Sequence, residues 1–255
     1  MDVYHAHTMF STDALTISID TREIVSSISL DFPRGQVTAI LGHNGSGKSS
    51  LAFALMGHPR YATTGRILLD GEDISGLSPD KRHEKGIFLS FQNVPEISGI
   101  RLFEYLKAVY MAYFARKHPG EKAPTSFVFR RMVERLLPTV GLDKSFLERD
   151  LYVGFSGGEK RRIEMLQIEL LSPEIIILDE IDSGLDIGAI DILRQYIDKW
   201  RSMSKTIIII THNFHLLDSI SSDNVVIMHD GQFVARGEKK LIDMIRQQGF
   251  DSITQ

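Results

Sequence analysis

The chain has 255 residues, a net charge of -4, no cysteine, and hydrophobic and charged fractions of 43% and 24%. That length can bury a good core, as one large domain or as a domain with an inserted subdomain. The acidic balance argues against a nucleic-acid-binding surface. The missing cysteines exclude disulfides and thiolate metal sites within the chain and suit a reducing cytosol, so a cytoplasmic location is expected. The first residues carry an early acid and no apolar run, so no signal peptide is expected. Apolar runs such as residues 207–210 are far too short to span a bilayer, so direct membrane insertion is not expected either.

In chain order, residues 15–19 and 24–31 read as strands around a polar turn, 37–41 as a buried strand, and 50–56 as a helix. Residues 66–70 form a further strand that turns at Asp70-Gly71, and 86–91 a short buried strand ending at Gln92. The pattern then changes. Leu102, Leu106, Val109 and Tyr113 recur at helical spacing over 101–116, a polar break with Pro119 and Pro124 follows, and 127–137 is helical again. The expectation is a helical subdomain, about 93–154, inserted into a core of 1–92 and 155–255. Helix and strand then alternate: helix 157–171, strand 175–178, helix 187–203, strand 206–210, a hairpin of 225–228 and 232–235 around Asp230-Gly231, and a last helix 238–247. Short buried aliphatic strands separated by helices imply an α/β core with parallel strands covered on both faces.

The stretch Gly42, His43, Asn44, Gly45, Ser46, Gly47, Lys48, Ser49 matches the phosphate loop G-x-x-x-x-G-K-[ST], with a strand before it and a helix opening at Ser50 after it. Glycines let the backbone turn its N–H groups toward phosphate oxygens, and the helix start adds the positive end of its dipole. Lys48 is expected on the β- and γ-phosphates and Ser49 on Mg²⁺. The strand 175–178 runs into Asp179 and Glu180: the first acid is placed to hold Mg²⁺, directly or through water, and the second to polarise the attacking water. Ser156, Gly157, Gly158 and Glu159 open a second anion-binding helix start more than a hundred residues later. One nucleotide does not need both from one subunit, so two copies packed head to tail, each using the other's, are expected. His212 ends a buried strand and should face the edge that carries the phosphate loop, where its imidazole can bond the γ-phosphate.

Together, GHNGSGKS, Gln92, FSGGEK, IIILDE, SGLD and His212 occur in the order and approximate spacing of an ATP-binding cassette (ABC) ATPase, and the resemblance covers nearly the whole chain. It implies a P-loop NTPase core with a mixed sheet and an inserted α-helical subdomain, and a dimer sandwiching two ATP molecules. Ser156, Gly157 and Gly158 of one copy would face residues 42–49 of the other across each γ-phosphate, with Glu159 and Ser50 also counted among the nucleotide-binding residues. It also implies roles for Gln92, on nucleotide and Mg²⁺, and for Asp186, in the loop that crosses the dimer interface.

The strings FSGGE, ILDEIDSGLDIGA and FLSFQNVPEISGI, with the tail GQFVARGE, resemble the SufC-type cassettes of iron–sulfur cluster assembly. That resemblance implies a soluble scaffold of SufB and SufD type as partner rather than a permease. The alternative is the nucleotide-binding subunit of an ABC transporter. A third class, translation or DNA-repair cassettes, usually needs two cassettes or a long coiled coil, and neither is present. The sequence departs from the pattern at Ile19, where an aromatic usually stacks on adenine, and at His43 and Ser50 in the loop; Asn213 has no assigned role. Tyr105, Tyr110 and Tyr113, on the helix after Gln92, are candidates for partner contact.

Overall fold

The computed structural model describes residues 8–90, 95–182, 185 and 187–249. The chain divides into two compact units. Among the described residues the first comprises 8–90, Glu174–Asp182 and 194–249, and the second 95–173, 185 and 187–193.

The first unit begins with two long paired strands, β1 (Thr8–Ile19) and β2 (Arg22–Pro33), followed by β3 (Val37–Leu41), α1 (Lys48–Leu55), β4 (Ala62–Leu69), β5 (Glu72–Asp73), α2 (Pro79–Glu84) and β6 (Ile87–Ser90). The first two strands are longer than their apolar patterns predict. Ala14 and Ser27 sit at positive φ, and the pairing register shifts between Thr12 and Leu15. Each shift moves the inward-facing set by one residue, so simple alternation reads only the central part of the strand. The unit resumes after the helical segment with β9 (Ile175–Asp179), α6 (Ile187–Ser202, whose first residues belong to the second unit), β10 (Thr206–Ile210), α7 (Phe214–Ser219), β11 (Asn224–His229), β12 (Gln232–Gly237) and α8 (Lys240–Gln248).

Two sheets result. β2-β1-β4-β5 is antiparallel; β12-β11-β3-β10-β9-β6 is mixed, with β12 alone antiparallel to its neighbour. β3, β9 and β10 are buried along their whole length, as expected of parallel strands covered on both faces. Leu51, Ala52, Ala54 and Leu55 of α1 join one apolar cluster with Phe10, Leu15 and Ile17 of β1 and with Ile40, Ile177 and Ile208 of the mixed sheet. Each fully buried leucine there contributes about 1.5–3 kcal/mol. α1 is thereby clamped between the sheets, and its N-terminus is held at the end of β3.

The C-terminal end of α1 is satisfied by a buried arginine. Arg82, 2% exposed, donates to the carbonyls of Ala54 and Leu55 at 2.8 and 2.9 Å, to Leu77 at 3.0 Å and to Ser75 at 2.7 Å. Burial pushes its pKa down to about 10, so it stays cationic at neutral pH.

The second unit holds β7 (Ile97–Arg101), α3 (Leu102–Lys117), α4 (Ser126–Leu136), two 3₁₀ turns (Leu137–Val140 and Lys144–Glu148), β8 (Asp150–Leu151) and α5 (Gly157–Leu171), with β7 and β8 paired antiparallel. Leu102, Leu106, Phe129, Val133, Ile163 and Leu166 are buried in it. Phe103, Tyr110, Tyr113, Phe114 and Phe129 form a chain of ring contacts, with Tyr110 and Phe129 5.0 Å apart. Tyr105 differs from expectation: its hydroxyl donates inward to Gln167 of α5 at 3.1 Å instead of standing free for a partner.

Arg82→Met removes the guanidinium donors from the Leu55, Leu77 and Ser75 carbonyls and one of the two donors to the Ala54 carbonyl, which keeps Gly57 N–H. It is expected to lower unfolding stability by about 3 kcal/mol or more in chemical denaturation, since each buried unsatisfied acceptor costs about 1 kcal/mol or more.

Candidate nucleotide site

The phosphate loop leaves β3 and enters α1 through backbone conformations that need glycine. Gly45 and Gly47 sit at φ +83° and +103°, and Gly47 is the N-cap of α1 with no side-chain hydrogen bond to the helix. No acid lies in the first helical turn. The N–H groups of that turn therefore carry no protein cap and present partial positive charge to whatever lies over the loop. Gly42 meets a different constraint: a Cβ there would lie 2.1 Å from the Met228 carbonyl oxygen.

Lys48 is 5% exposed, and its ammonium donates to the carbonyls of Gly42 and His43 at 2.8 and 2.7 Å and to Ser46 Oγ at 3.4 Å. Burial lowers its pKa, while the charges of Glu180 and Asp179 oppose that shift. The loop is braced from behind by the β11–β12 turn. Gly231 N–H donates to the Ser46 carbonyl at 3.0 Å, and the Gly231 carbonyl accepts from Ser26 N–H at 2.9 Å. His43 and His229 meet edge to face, 5.8 Å between ring centres. The Asp230-Gly231 turn is legible in the sequence; its packing against the loop is not, because nothing local to either segment points to the other.

Strand register brings the acids to the same end. Ile210 pairs with Asp179 on one side and with Ile40 on the other, all in parallel strands. Asp179 and Glu180 thus leave β9 level with the exit of β3, one strand removed, the usual ligand edge of an open α/β sheet. Asp179 is 1% exposed. Glu180 adopts φ +49°, and its N–H donates to the Ile210 carbonyl at 2.8 Å. A non-glycine residue held there costs on the order of 1–3 kcal/mol, strain that clusters at functional sites. Its Oε1 lies 3.1 Å from His212 Nδ1. The neighbours of His212 are pinned: Thr211 Oγ1 donates to Asp182 at 2.9 Å and accepts from Asn213 N–H, and the Asn213 side chain caps α7. Asn213 thereby has a structural role that the sequence left open.

Ser49 and Asp179 offer a hydroxyl and a carboxylate, oxygen donors of the kind a hard cation such as Mg²⁺ takes. Among the described residues no group of three or more His, Cys, Asp or Glu could hold a metal by itself. Ser50 and Asn44 lie in the same loop–helix segment, Ser50 half-buried on α1 and Asn44 exposed. Ile19 is the last residue of β1, half-buried, and paired with Arg22.

In the second unit, Ser156 and Gly157 are exposed at the start of α5. Ser156 Oγ accepts from Glu159 N–H at 3.2 Å, and the Glu159 carboxylate accepts from Ser156 N–H at 2.7 Å, a reciprocal capping box. The structure therefore places the Glu159 carboxylate on its own helix end. Gln92, Ser183, Gly184 and Asp186 lie outside the described residues.

A family model described as "ABC transporter" matches residues 25–183. A probable ATP-dependent transporter of Synechocystis sp. is 40% identical over 247 residues, 96% of each chain. The probable ATP-dependent transporter SufC of Escherichia coli is 36% identical over 248 residues, 97% of this chain and 99% of the relative. Among solved structures, a dimeric bacterial ABC transporter cassette superposes with a TM-score of 0.74 at 17% identity, covering 90% of this chain and 98% of that one.

Gly42→Ala must push either its own Cβ or the Met228 carbonyl aside. The expected outcome is a lower Tm together with weaker nucleotide binding, read by thermal shift with and without nucleotide; an unchanged Tm in both conditions contradicts the close approach.

Proposed function

The chain belongs to the ATP-binding cassette family of ATPases, and on that premise we propose that ATP pairs two copies of it head to tail and that hydrolysis separates them, driving rearrangement of a SufB/SufD-type scaffold in iron–sulfur cluster assembly. The observation that carries the paired reading is the contrast between two helix starts. α1 opens uncapped behind Lys48, and α5 opens capped but exposed at Ser156 and Gly157. A triphosphate seated on the first still has oxygens to offer the second, and a second copy supplies it. Closure removes water from the γ-phosphate and strengthens every contact to it. A solved relative of the same fold is itself described as dimeric.

In this reading the loop residues 42–50 hold the phosphates. The Lys48 ammonium exchanges its carbonyl partners for β- and γ-phosphate oxygens. Ser49, Asp179 and Gln92 hold Mg²⁺, which when bound neutralises charge on the phosphates. Glu180 takes a proton from the attacking water, and His212, bonded to Glu180, steadies it and reaches the γ-phosphate. Asp186 lies in the loop crossing the interface. The nucleotide core is residues 1–92 and 155–255, and the helical subdomain about 93–154. The scaffold assignment is supported by the strings FSGGE and ILDEIDSGLDIGA and by the 36% identity to SufC of Escherichia coli. The names of that relative and of the Synechocystis one include "transporter", which favours a permease partner as the second reading. No described helix is long and apolar enough to cross a membrane.

Lys48→Ala is expected to abolish productive ATP binding in calorimetry. Glu180→Gln is expected to bind ATP normally but to hydrolyse it at least about 10²-fold more slowly, accumulating a dimer in sedimentation; unchanged turnover removes Glu180 from its role. Affinity purification from the native source is expected to recover a soluble scaffold, and recovery of a permease instead overturns the scaffold assignment.

A further inference from the structure

Behind the exposed start of α5 lies a buried polar cluster that the ATPase reading leaves unused. Tyr105 of α3 donates its hydroxyl to Gln167 Oε1 at 3.1 Å, and Gln167 Nε2 donates to the Tyr152 hydroxyl at 2.9 Å. The glutamine amide thus bridges two phenols from different elements. One turn earlier on α5, Arg161 and Glu164 form an ion pair of 2.8 Å with side chains 5% and 4% exposed. Burial raises the pKa of both tyrosines, with the Glu164 charge acting in the same direction, so both remain protonated and able to hydrogen-bond. Replacing a buried ion pair by apolar side chains of similar volume is often neutral or stabilising, so such a pair is weak evidence for stability. Its presence therefore calls for a role in fixing geometry.

That geometry is the turn entering α5. Tyr152 is 3% exposed and sits at φ +63°, a left-handed conformation that glycine would adopt without strain. A tyrosine in its place brings an anchor, the hydroxyl that accepts from Gln167. A second anchor lies two residues on: Arg149 donates to the Gly154 carbonyl at 3.0 Å while its guanidinium covers the Phe155 ring at 4.1 Å and the Phe146 ring at 4.8 Å. Phe155 also meets Tyr152 edge to face. The backbone from Tyr152 to Phe155 is therefore held from inside the unit, and Ser156 and Gly157 emerge from it into solvent.

We propose that Tyr152, Gln167 and Tyr105 are positioning residues for ATP hydrolysis, holding the turn that sets the direction in which Ser156, Gly157 and Gly158 meet the triphosphate of the paired copy. The inference rests on the head-to-tail reading. All three lie in a different unit from the phosphate loop. Loosening them should leave capture of ATP by a single copy intact and weaken the step in which the second copy closes.

The test uses Tyr152→Phe, which removes one oxygen, and Gln167→Met, which keeps the side-chain length and removes both hydrogen bonds, each alone and in the Glu180→Gln background. The expected result is an unchanged Kd for ATP by calorimetry at a protein concentration where the chain is monomeric. ATP-dependent dimerisation of the Glu180→Gln protein should weaken about tenfold on sedimentation, with kcat in the Glu180 protein falling by a similar factor, the worth of one ordinary hydrogen bond. Tyr105→Phe should shift both in the same direction by less. A variant that loses ATP affinity and dimerisation together shows general destabilisation and overturns the proposal, as does wild-type kcat and dimerisation in both variants. If Glu180→Gln alone never dimerises with ATP, the head-to-tail reading fails first and this inference with it.

Discussion

The Lys48 ammonium is buried, and a buried cation is tolerated only where acceptors replace the water it has lost. Here the acceptors are the carbonyls of Gly42 and His43, from the loop that Lys48 itself closes, with the negative charge of Asp179 and Glu180 acting on it from the next parallel strand but one. Much else in the first unit serves that arrangement. Carbonyls can turn inward toward an ammonium only if the backbone passes through conformations open to glycine, as at Gly45 and Gly47. The acids can act on it only if β9 ends level with β3, which the register through Ile210 secures. The loop carbonyls thus satisfy the buried ammonium from within the chain; in the proposed reading, phosphate oxygens would take their place.

The two helix starts show how one motif, a helix N-terminus, serves different purposes according to its cap. α1 has glycine at its N-cap and no acid in its first turn, and its N–H groups have no side chain to satisfy them. α5 is closed by the Ser156–Glu159 box and so forms a stable end without any ligand. The glutamate that completes the box accepts from Ser156 N–H, which places its carboxylate beside the exposed serine.

The elements that the sequence predicts best are those whose signal is local. β3, α5 and β10 run over 37–41, 157–171 and 206–210 as read from apolar runs and caps, because a fully buried strand or a capped amphipathic helix declares itself within a few residues. The long β1–β2 pair is blurred by bulges at Ala14 and Ser27, which reset alternation without leaving a glycine to mark them. Short pieces such as α2, α7 and β7 escape a period-based reading because they span too few residues to show a period. Tyr105 misleads for another reason: on a helix rich in aromatics the sequence does not say which ring turns inward, and its hydroxyl finds a buried amide sixty-two positions away.

The amino-acid order by itself determined the family, the phosphate loop, the paired acids and the capped second helix, because each is a contiguous string whose chemistry follows from its own residue types and spacing. Tertiary structure alone decided what those strings touch. It set the Asp230-Gly231 turn against the back of the phosphate loop, joined Glu180 to His212 and tied Tyr152 to Gln167. Those contacts depend on strand order, register and left-handed backbone at Tyr152 and Glu180. The Glu180–His212 contact and the bracing of the loop by the Asp230-Gly231 turn join segments far apart in the chain, so no short window along the sequence contains both partners.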